Sequence, residues 1–258
     1  MVDIHSHVLF GLDDGARTME DSLAMVRMAA GHGTTDLVAT PHANPTYRFD
    51  PALITERLSQ LEAAAAGAGG DALHLHTGCD FHLSYDNIQD ALAHPRKYTI
   101  AHHTYLLVEF SDLLIFQNTA EIFGRLLASG MIPVITHPER NALLRQRLDK
   151  IAEWVAAGVR VQVTGQSLTG GFGKRAQAFA RELLGRGLVH VIASDGHDVE
   201  HRPPVMDQAY RWLEQEYGPA LARMLCVSNP KAALTGDPMK LPDEADAAAA
   251  GKWYQFWR

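Results

Sequence analysis

Short apolar runs alternate with amphipathic helical patterns along most of the chain. Runs rich in Val, Ile and Leu predict seven strands, beginning with the Val2 and Ile4 run and continuing at 36–40, 72–79, 105–108, 131–135, 159–163 and 188–193. Apolar residues at helical spacing predict helices over 18–33, 50–70, 87–92, 119–129, 148–157, 174–185 and 205–217. Thr18 with Asp21 forms a capping-box signature, and Asp50 before Pro51 marks the start of the second helix.

This alternation of strands and helices indicates an α/β protein with a parallel sheet. The strands are nearly continuous apolar runs, as expected when helices cover both faces of the sheet. In barrels of this class the active site lies at the carboxyl ends of the strands. We therefore look for chemistry at the residues that follow each strand.

Imidazole and carboxylate side chains recur at these strand ends. His5 and His7 are two residues apart, so an extended strand directs both to one face. The turn at residues 13–15 offers carboxylates to the same region. The later strand ends carry His42, Asp80, Glu109, His137, Asp195 and His197. This mixture of ligands suits manganese, zinc or iron better than calcium or magnesium alone, and predicts a site for several ions.

Not every histidine belongs to this pattern, although 14 histidines are many for 258 residues. His82 is ambiguous because it lies on the same predicted strand as Asp80. The others outside the pattern are interpreted as structural or exposed: His32, His74, His76, His94, His102, His103, His190 and His201. Glu109 stands in the middle of the chain order and is a natural bridge between two ions.

Charge and composition exclude several classes of protein. A net charge of −7 argues against nucleic acid as the main partner. The chain shows no long apolar run and no leader at its first residue, so we expect neither membrane insertion nor secretion. Two cysteines, Cys79 and Cys226, point to a reducing, cytoplasmic setting without disulfides. Neither is followed six residues later by the arginine that a cysteine-dependent phosphatase requires, since Tyr85 and Ala232 stand there.

The carboxyl-terminal stretch differs from the rest of the chain. Residues 237–252 are rich in Ala, Asp, Glu and Pro, which is typical of a linker, and residues 253–257 read WYQFW. We therefore divide the chain into a barrel over 1–236 and a tail over 237–258. The tail is expected to pack on the barrel or on a neighbouring subunit of a homo-oligomer, rather than to dock a separate partner protein.

Several motifs together resemble a known family. They read DIHSHVLFGLDDGARTMEDS, ATPH, VEF, THPER, SLTGGFGKRA and SDGH, and they occur in this order between Val2 and Thr235. In combination they resemble the bacterial polymerase-and-histidinol-phosphatase superfamily. Within that superfamily, they are similar to the metal-dependent protein-tyrosine phosphatases encoded with capsule and exopolysaccharide genes.

The resemblance implies a single-domain, distorted (β/α)7 barrel that holds two or three divalent ions, most often manganese, with iron or zinc as alternatives. The ligands it implies are His5, His7, Asp14, His42, Asp80, Glu109, His137, Asp195 and His197. The family usually has glutamate where this chain has Asp80, so this shorter side chain reaches an ion less directly or through water. His82 could compensate. Gly196 replaces a common alanine, with no consequence expected from the sequence.

The implied reaction is hydrolysis of phosphotyrosine by a metal-activated water. The catalytic set is expected to be Arg140, Arg202, Glu109 and His42, in which the two arginines bind the phosphoryl oxygens. Arg17 is a weaker candidate for that role. The implied partner is a bacterial tyrosine kinase with a phosphorylated tail that regulates polysaccharide synthesis. The alternatives are a phosphatase for a small phosphomonoester such as histidinol phosphate, and a non-enzymatic metal-holding module.

Overall fold

The strands of the computed structural model, which describes residues 1–67 and 73–241, surround one apolar interior. They are β1 (Val2–Ser6), β2 (Asp36–Ala39), β3 (His42–Ala43), β4 (His74–Thr77), β5 (Asp80–His82), β6 (Tyr105–Glu109), β7 (Ile132–Thr136), β8 (Arg160–Thr164) and β9 (Val191–Ala193). The helices are α1 (Met19–Gly31), α2 (Pro51–Gly67), α3 (Tyr85–Ala93), α4 (Thr119–Ala128), α5 (Leu148–Ala156), α6 (Gly165–Thr169), α7 (Gly173–Gly185), α8 (Asp207–Tyr217), α9 (Pro219–Arg223) and α10 (Asn229–Thr235).

All strand pairs are parallel, and they fall into a sheet β1-β2-β4 and a sheet β3-β5-β6-β7-β8-β9. Two of the seven predicted strands are followed by a short strand that the sequence did not predict: β3 comes after Pro41, and β5 comes after Gly78 and Cys79. Proline lacks the N–H that the ladder requires. A Cβ on Gly78 would lie 3.0 Å from a methyl carbon of Val38, so the neighbouring strand fits closely there. The observed strand β4 (His74–Thr77) is thus shorter than the predicted strand at 72–79. Residue 72 lies outside the described part of the chain.

The first and last strands close the ring. A parallel bridge joins Ser6 to Gly196, the His7 N–H donates to the Gly196 carbonyl at 2.8 Å, and the Asp195 N–H donates to the His5 carbonyl at 2.9 Å. The arrangement confirms the predicted (β/α)7 barrel. It also brings the two histidines at the start of the chain next to the predicted ligands near its end.

The interior below the strand ends is apolar. Side chains from five strands meet there, and the segment around Ile100 and helix α10 closes this end of the barrel; the cluster includes Val2, Ile4, Val38, Ile100, Tyr105, Leu107, Val134, Val191, Ala233, Leu234 and Met239. A second large cluster packs the outer strand faces against the helices. Burial of these side chains stabilises the barrel by roughly 25 cal/mol for each Å² of apolar surface removed from water.

The helix starts agree with their capping signatures. The Asp21 N–H donates to the Thr18 hydroxyl at 3.2 Å, and the Thr18 N–H donates to the Asp21 carboxylate at 3.0 Å. Asp50 accepts hydrogen bonds from the N–H groups of Ala52 and Leu53 at the start of α2. Helix α1 ends at Gly31, two residues before the predicted Gly33, and α8 begins at Asp207, two residues after the predicted start.

The chain beyond residue 236 begins by packing on the barrel. The Tyr105 hydroxyl donates to the Asp237 carbonyl at 2.8 Å, and the Met239 N–H donates to the Tyr105 hydroxyl at 2.9 Å. Met239 is buried in the interior cluster. The aromatic tail and most of the predicted linker, residues 242–258, lie outside the described residues, so the proposed domain boundary stays a prediction.

No helix in the described part of the chain has the length and the apolar run needed to cross a membrane.

Candidate metal centre

The nine predicted ligand side chains meet at the carboxyl ends of the strands. They form four overlapping groups whose donor atoms lie within 4.8 Å of one another: His7, Asp14, His42 and His197; His5, His7 and Asp80; His5, His137 and Asp195; and His42, Asp80 and Glu109. Each of the nine occurs in at least one group. The structure therefore brings together every residue of the predicted set, as a site for several ions requires. The assignment of each residue as a ligand stays a prediction.

Backbone conformation directs two of these side chains. His137 and Asp195 directly follow or nearly follow β7 and β9, and their φ angles are 34° and 52°. Non-glycine residues rarely adopt this left-handed region, and such strain is concentrated at functional sites. At both strand ends the turn brings the side chain towards the groups on β1.

Asp195 occupies the centre of the cluster. Its Oδ1 lies 3.4 Å from His5 Nε2, 3.5 Å from His7 Nε2 and 3.6 Å from His197 Nδ1. Its other oxygen, Oδ2, accepts hydrogen bonds from Arg202 at 2.6 Å and from Arg140. Burial would raise the pKa of Asp195, but the neighbouring positive groups, His5 first among them, hold it well below its usual value.

Two partners outside the predicted set orient the first two histidines. Asp13 Oδ2 lies 2.7 Å from His7 Nδ1, and Gln162 Oε1 lies 3.0 Å from His5 Nδ1. In each case Nδ1 faces the partner and Nε2 is left to face the cluster, which is the tautomer that a metal-binding imidazole needs. Asp13 is adjacent to Asp14, so the sequence alone leaves open which carboxylate enters the cluster. Gln162 gives no signal in the sequence, because it lies within an apolar strand.

Asp80 is fully buried despite its short side chain. Its Oδ2 lies 3.2 Å from His42 Nδ1 and 3.5 Å from His5 Nε2. Burial raises the pKa of Asp80, yet the charge of His5 and the contacts with His42 bring it well below its usual value. The ambiguous His82 lies beside Glu109, with 3.6 Å between its Nδ1 and Glu109 Oε2. Burial and the charge of Asp80 raise the pKa of Glu109.

The remaining predictions from sequence also have a definite place in the structure. Arg140 contacts Asp195 rather than Glu139, the acid next to it in the chain. Arg17 lines a cleft of about 510 Å³ that opens beside Asp14 and His197, and it contacts no member of the cluster in the described structure. His190 is buried and its Nδ1 accepts from the Val161 N–H at 3.2 Å, which is a structural role.

The donor set fits divalent transition ions. Among the described residues, several buried polar atoms of the cluster make no hydrogen bond, although charged groups lie within ion-pair distance of some of them. They include His42 Nδ1, His197 Nε2 and both Asp80 oxygens. Such atoms are costly to bury unless something else satisfies them. Imidazole nitrogens and carboxylate oxygens in one cluster match the preferences of manganese, zinc and iron.

Comparison with known proteins assigns a family to this barrel. A family described as capsular polysaccharide synthesis, CpsB/CapC, matches residues 1–235. The tyrosine-protein phosphatase YwqE of Bacillus subtilis (strain 168) is 35% identical over 226 residues, which cover 87% of this chain and 88% of that protein. The tyrosine-protein phosphatase CpsB of Streptococcus pneumoniae is 30% identical over 237 residues, which cover 90% of this chain and 97% of that protein.

Solved structures agree. A chain from the crystal structures of YwqE from Bacillus subtilis and CpsB from Streptococcus pneumoniae, described as unique metal-dependent tyrosine phosphatases, matches with a TM-score of 0.87 and 33% identity. The match covers 94% of this chain and 97% of that one. The lactonase Lmo2620 of Listeria monocytogenes matches with a TM-score of 0.51 at 9% identity over 95% of this chain and 93% of its own, which shows a shared fold alone.

Proposed function

This chain belongs to the CpsB/CapC family of capsular polysaccharide synthesis, and from this we propose that it is a metal-dependent tyrosine-protein phosphatase that acts at the carboxyl end of its barrel. The observation that carries the proposal is the convergence of nine imidazole and carboxylate side chains, with two arginines on one of them. A phosphomonoester dianion needs this combination of cations and guanidinium donors.

We assign two or three divalent ions, manganese in preference to iron or zinc, to the four overlapping groups. His5, His7, Asp14, His42, Asp80, Glu109, His137, Asp195 and His197 would hold them. When bound, such ions would neutralise charge on the phosphoryl group and lower the pKa of a water molecule, so that it can lose a proton and attack the phosphorus at neutral pH. The buried nitrogen and oxygen atoms of His42, Asp80 and His197 that make no hydrogen bond support this assignment.

Arg140 and Arg202 bind the phosphoryl oxygens in this proposal. Both side chains are 24% exposed and both donate to the same oxygen of Asp195, so two guanidinium groups converge at the edge of the cluster. A planar guanidinium can donate two parallel hydrogen bonds to a phosphoryl group, and these strengthen as negative charge develops on its oxygens. Arg202 is further held by its own backbone, because its carbonyl accepts from the His197 N–H at 2.8 Å.

Glu109 and His42 complete the catalytic set, and both remain partly exposed. Their side chains are 22% and 11% exposed, and 3.6 Å separates Glu109 Oε2 from His42 Nδ1. Glu109 also lies within 4.0 Å of His137 and so borders two of the groups. Tyrosine leaves as a phenolate with a pKa of about 10, so no dedicated general acid is required.

The substrate that we propose is a phosphotyrosine protein. The cleft of about 510 Å³ beside Asp14 and His197 offers space for an aryl group next to the cluster of predicted ligands. From the family's role in capsule synthesis, we propose that the partner is the tail of a cytoplasmic tyrosine kinase that controls polysaccharide synthesis. A homo-oligomer is consistent with this role.

The cysteines take no part in the proposed chemistry. Both are free and buried. Burial raises the pKa of Cys226 to about 12 and raises that of Cys79 well above its usual value. The thiolate that a cysteine-dependent phosphatase uses is therefore not available. Activity should be lost on chelation and should survive thiol alkylation.

Paired substrates test the proposal. A phosphotyrosine peptide and histidinol phosphate are supplied to the metal-loaded protein, with and without chelator and with and without iodoacetamide. We expect turnover of the peptide, loss of that turnover with chelator, and no effect of iodoacetamide. Preference for histidinol phosphate would assign the small-molecule alternative, and no turnover of either substrate would favour a non-enzymatic module.

A further inference from the structure

The glycine-rich segment after β8 is attached to the loop that carries Arg140. Glu139 is fully buried, and its Oε1 accepts hydrogen bonds from the Thr164 N–H at 3.0 Å and from the Ser167 hydroxyl at 2.7 Å. These contacts join the THPER and SLTGGFG stretches, which lie some distance apart in the chain. Glu139 therefore fixes the two loops relative to each other without entering the ligand cluster.

Glycines then shape the turn between α6 and α7. Gly170 and Gly173 have φ angles of 97° and 83°, which favour glycine over other residues. The Gly171 N–H donates to the Gln166 carbonyl at 2.8 Å, and the Gly173 N–H donates to the Gly170 carbonyl at 2.9 Å. Phe172 lies between these glycines, so the conformation of the turn fixes the point at which its side chain leaves the backbone.

The Phe172 ring covers one face of the Arg140 guanidinium. The Arg140 Cζ lies 4.3 Å from the centroid of the ring. The guanidinium also donates to the Asp195 carboxylate. An aromatic face attracts a guanidinium and restricts it to a plane, and the carboxylate fixes its direction within that plane. Arg140 is thus held by two groups, neither of which is its neighbour in sequence.

We infer that Phe172 is a positioning residue for Arg140, and that it keeps the guanidinium oriented when a phosphoryl group replaces Asp195 as its partner. This inference rests on the proposed function, in which Arg140 binds the substrate phosphoryl group. A flexible arginine loses conformational freedom when it binds, and a surface that restricts it in advance reduces this cost. Because one face of the ring is occupied by Arg140, that face is not available to stack on the tyrosyl group.

The test compares Phe172→Leu with Phe172→Tyr, in the unsubstituted protein and in the Arg140→Ala background. Leucine keeps the apolar volume without the aromatic face, and tyrosine keeps the face. We expect Phe172→Leu to lower kcat/KM for a phosphotyrosine peptide by roughly 3–30-fold, the range of a cation–π contact. It should weaken inhibition by inorganic phosphate by a similar factor, whereas Phe172→Tyr should change neither.

The double substitution separates a positioning role from a general structural one. Arg140→Ala alone should lower turnover by roughly 10²–10³-fold, as loss of one transition-state donor does. Adding Phe172→Leu should then have no further effect, because its target is gone. Phe10→Leu is a matched control, since the Phe10 ring carries Arg57 at 4.6 Å, and it should leave kcat/KM close to that of the unsubstituted protein.

Each contrary outcome overturns a stated point. If Phe172→Leu lowers turnover equally in both backgrounds, its effect does not pass through Arg140 and the inference is wrong, while the proposed function stands. If Phe172→Leu raises KM for the peptide but leaves phosphate inhibition unchanged, the ring contacts the tyrosyl group instead. If Arg140→Ala retains turnover, the proposed role of Arg140 fails and the inference fails with it. Circular dichroism and metal content verify folding, and Phe172→Met replaces the leucine variant if that one is unfolded.

Discussion

Two pairs of histidines in the cluster differ in the protons that they hold, although the rings of His7 and His197, one from each pair, lie only 3.8 Å apart. Burial opposes protonation of His7 and His42, but the Asp13 carboxylate raises the pKa of His7 to about 9, and contacts with Asp14 and Asp80 raise that of His42 to about 11. In the second pair, burial and the Arg140 charge lower the pKa of His137 to about 3. Burial and the charge of His7 lower that of His197 to about 4.

This contrast shows that the histidines of one cluster can differ in whether they must lose a proton before they bind a metal ion. An imidazole binds a metal ion only in its neutral form. In the metal-free protein near neutral pH, His137 and His197 are already neutral, whereas His7 and His42 must release protons to bind an ion. Arg140 and Arg202, which we propose bind substrate, thus also disfavour protonation of the nearby His137 and His197. The neighbouring carboxylates, in contrast, favour the protonated forms of His7 and His42, which would lose these protons when an ion binds.

Asp195→Asn should have the largest effect, because Asp195 contacts one histidine of each pair, His7 and His197. The variant loses the charge that faces His5 and His7 and the oxygen that holds Arg140 and Arg202. We expect turnover to fall by more than the roughly 10²–10³-fold of a single lost donor, together with loss of bound metal. Steady-state kinetics and elemental analysis on the same samples measure both.

A matched control for Asp195→Asn is Asp149→Asn, which removes an exposed carboxylate at the start of α5. It should leave metal content and turnover unchanged. Normal turnover in the Asp195 variant, with metal content intact, would show that the contacts of Asp195 with the two pairs of histidines are not needed for activity.

Asp13→Asn tests the pair formed by His7 and His42 alone, because Asp13 contacts His7. Without the negative charge, the pKa of His7 should fall, and the amide cannot accept from both His7 and the backbone N–H groups of Gly15 and His42 as the carboxylate does. We expect metal affinity to fall by about 10–100-fold, the usual effect of losing a partner of a metal-binding histidine. Fewer protons should be released on metal binding. Calorimetry in two buffers with different ionisation enthalpies measures the proton count, and an unchanged count would contradict the role of Asp13.

The stability of the metal-free protein and its affinity for metal should depend on pH in opposite ways. The folded pKa of His7, about 9, lies above the ordinary value of 6.5, so the stability from its pairing with Asp13 is fully present below pH 6.5. That stability is lost as the pH rises through 9. Metal affinity should instead increase over the same range, by about tenfold per pH unit for each proton displaced. Thermal unfolding after chelation and competitive metal titration at several pH values give both curves. If the stability of the metal-free protein does not fall as the pH rises towards 9, His7 is already neutral in that protein.

Asp14→Asn should have the smallest effect of the series. The side chain is 49% exposed and lies 3.4 Å from His42 and 3.5 Å from His197. The contacts with His197 and His42 lower the pKa of Asp14. Water and salt screen an exposed carboxylate, so we expect metal affinity to fall towards the lower end of the 10–100-fold range. A loss as large as that of Asp195→Asn would mean that Asp14 is as central as the buried aspartate.

The sequence predicts which side chains meet at the strand ends for a physical reason. In a parallel barrel the carboxyl ends of all strands meet, so His42, Glu109 and His137 become neighbours even though long helical segments separate them. The alternating pattern identified seven strands, but not the short strands β3 and β5 that come after Pro41 and Cys79. Local capping rules also located the starts of α1 and α2, because these contacts involve residues three or fewer apart in the chain.

The supporting partners could not be predicted in the same way. Gln162 reaches His5 across the barrel, and Phe172 reaches Arg140 from another loop, so each pairing depends on the packed geometry. Asp13 and Asp14 are adjacent carboxylates, and only the conformation of the turn decides which one faces His7. Gly196 likewise gains a meaning from the fold, since a Cβ there would lie 2.7 Å from Pro204 Cα. In this chain an alanine at this position would require the Pro204 backbone to move.

The bridge between Ser6 and Gly196 has a consequence for biosynthesis. The ribosome makes His5 and His7 long before their neighbours Asp195 and His197, which emerge only after most of the barrel has been translated. Pairing of residues so distant in the chain is slow, because loop-closure entropy is lost before the contact forms. The complete set of ligands therefore cannot exist on a nascent chain that lacks its last strand. Loading with metal would thus distinguish finished, closed barrels from incomplete ones.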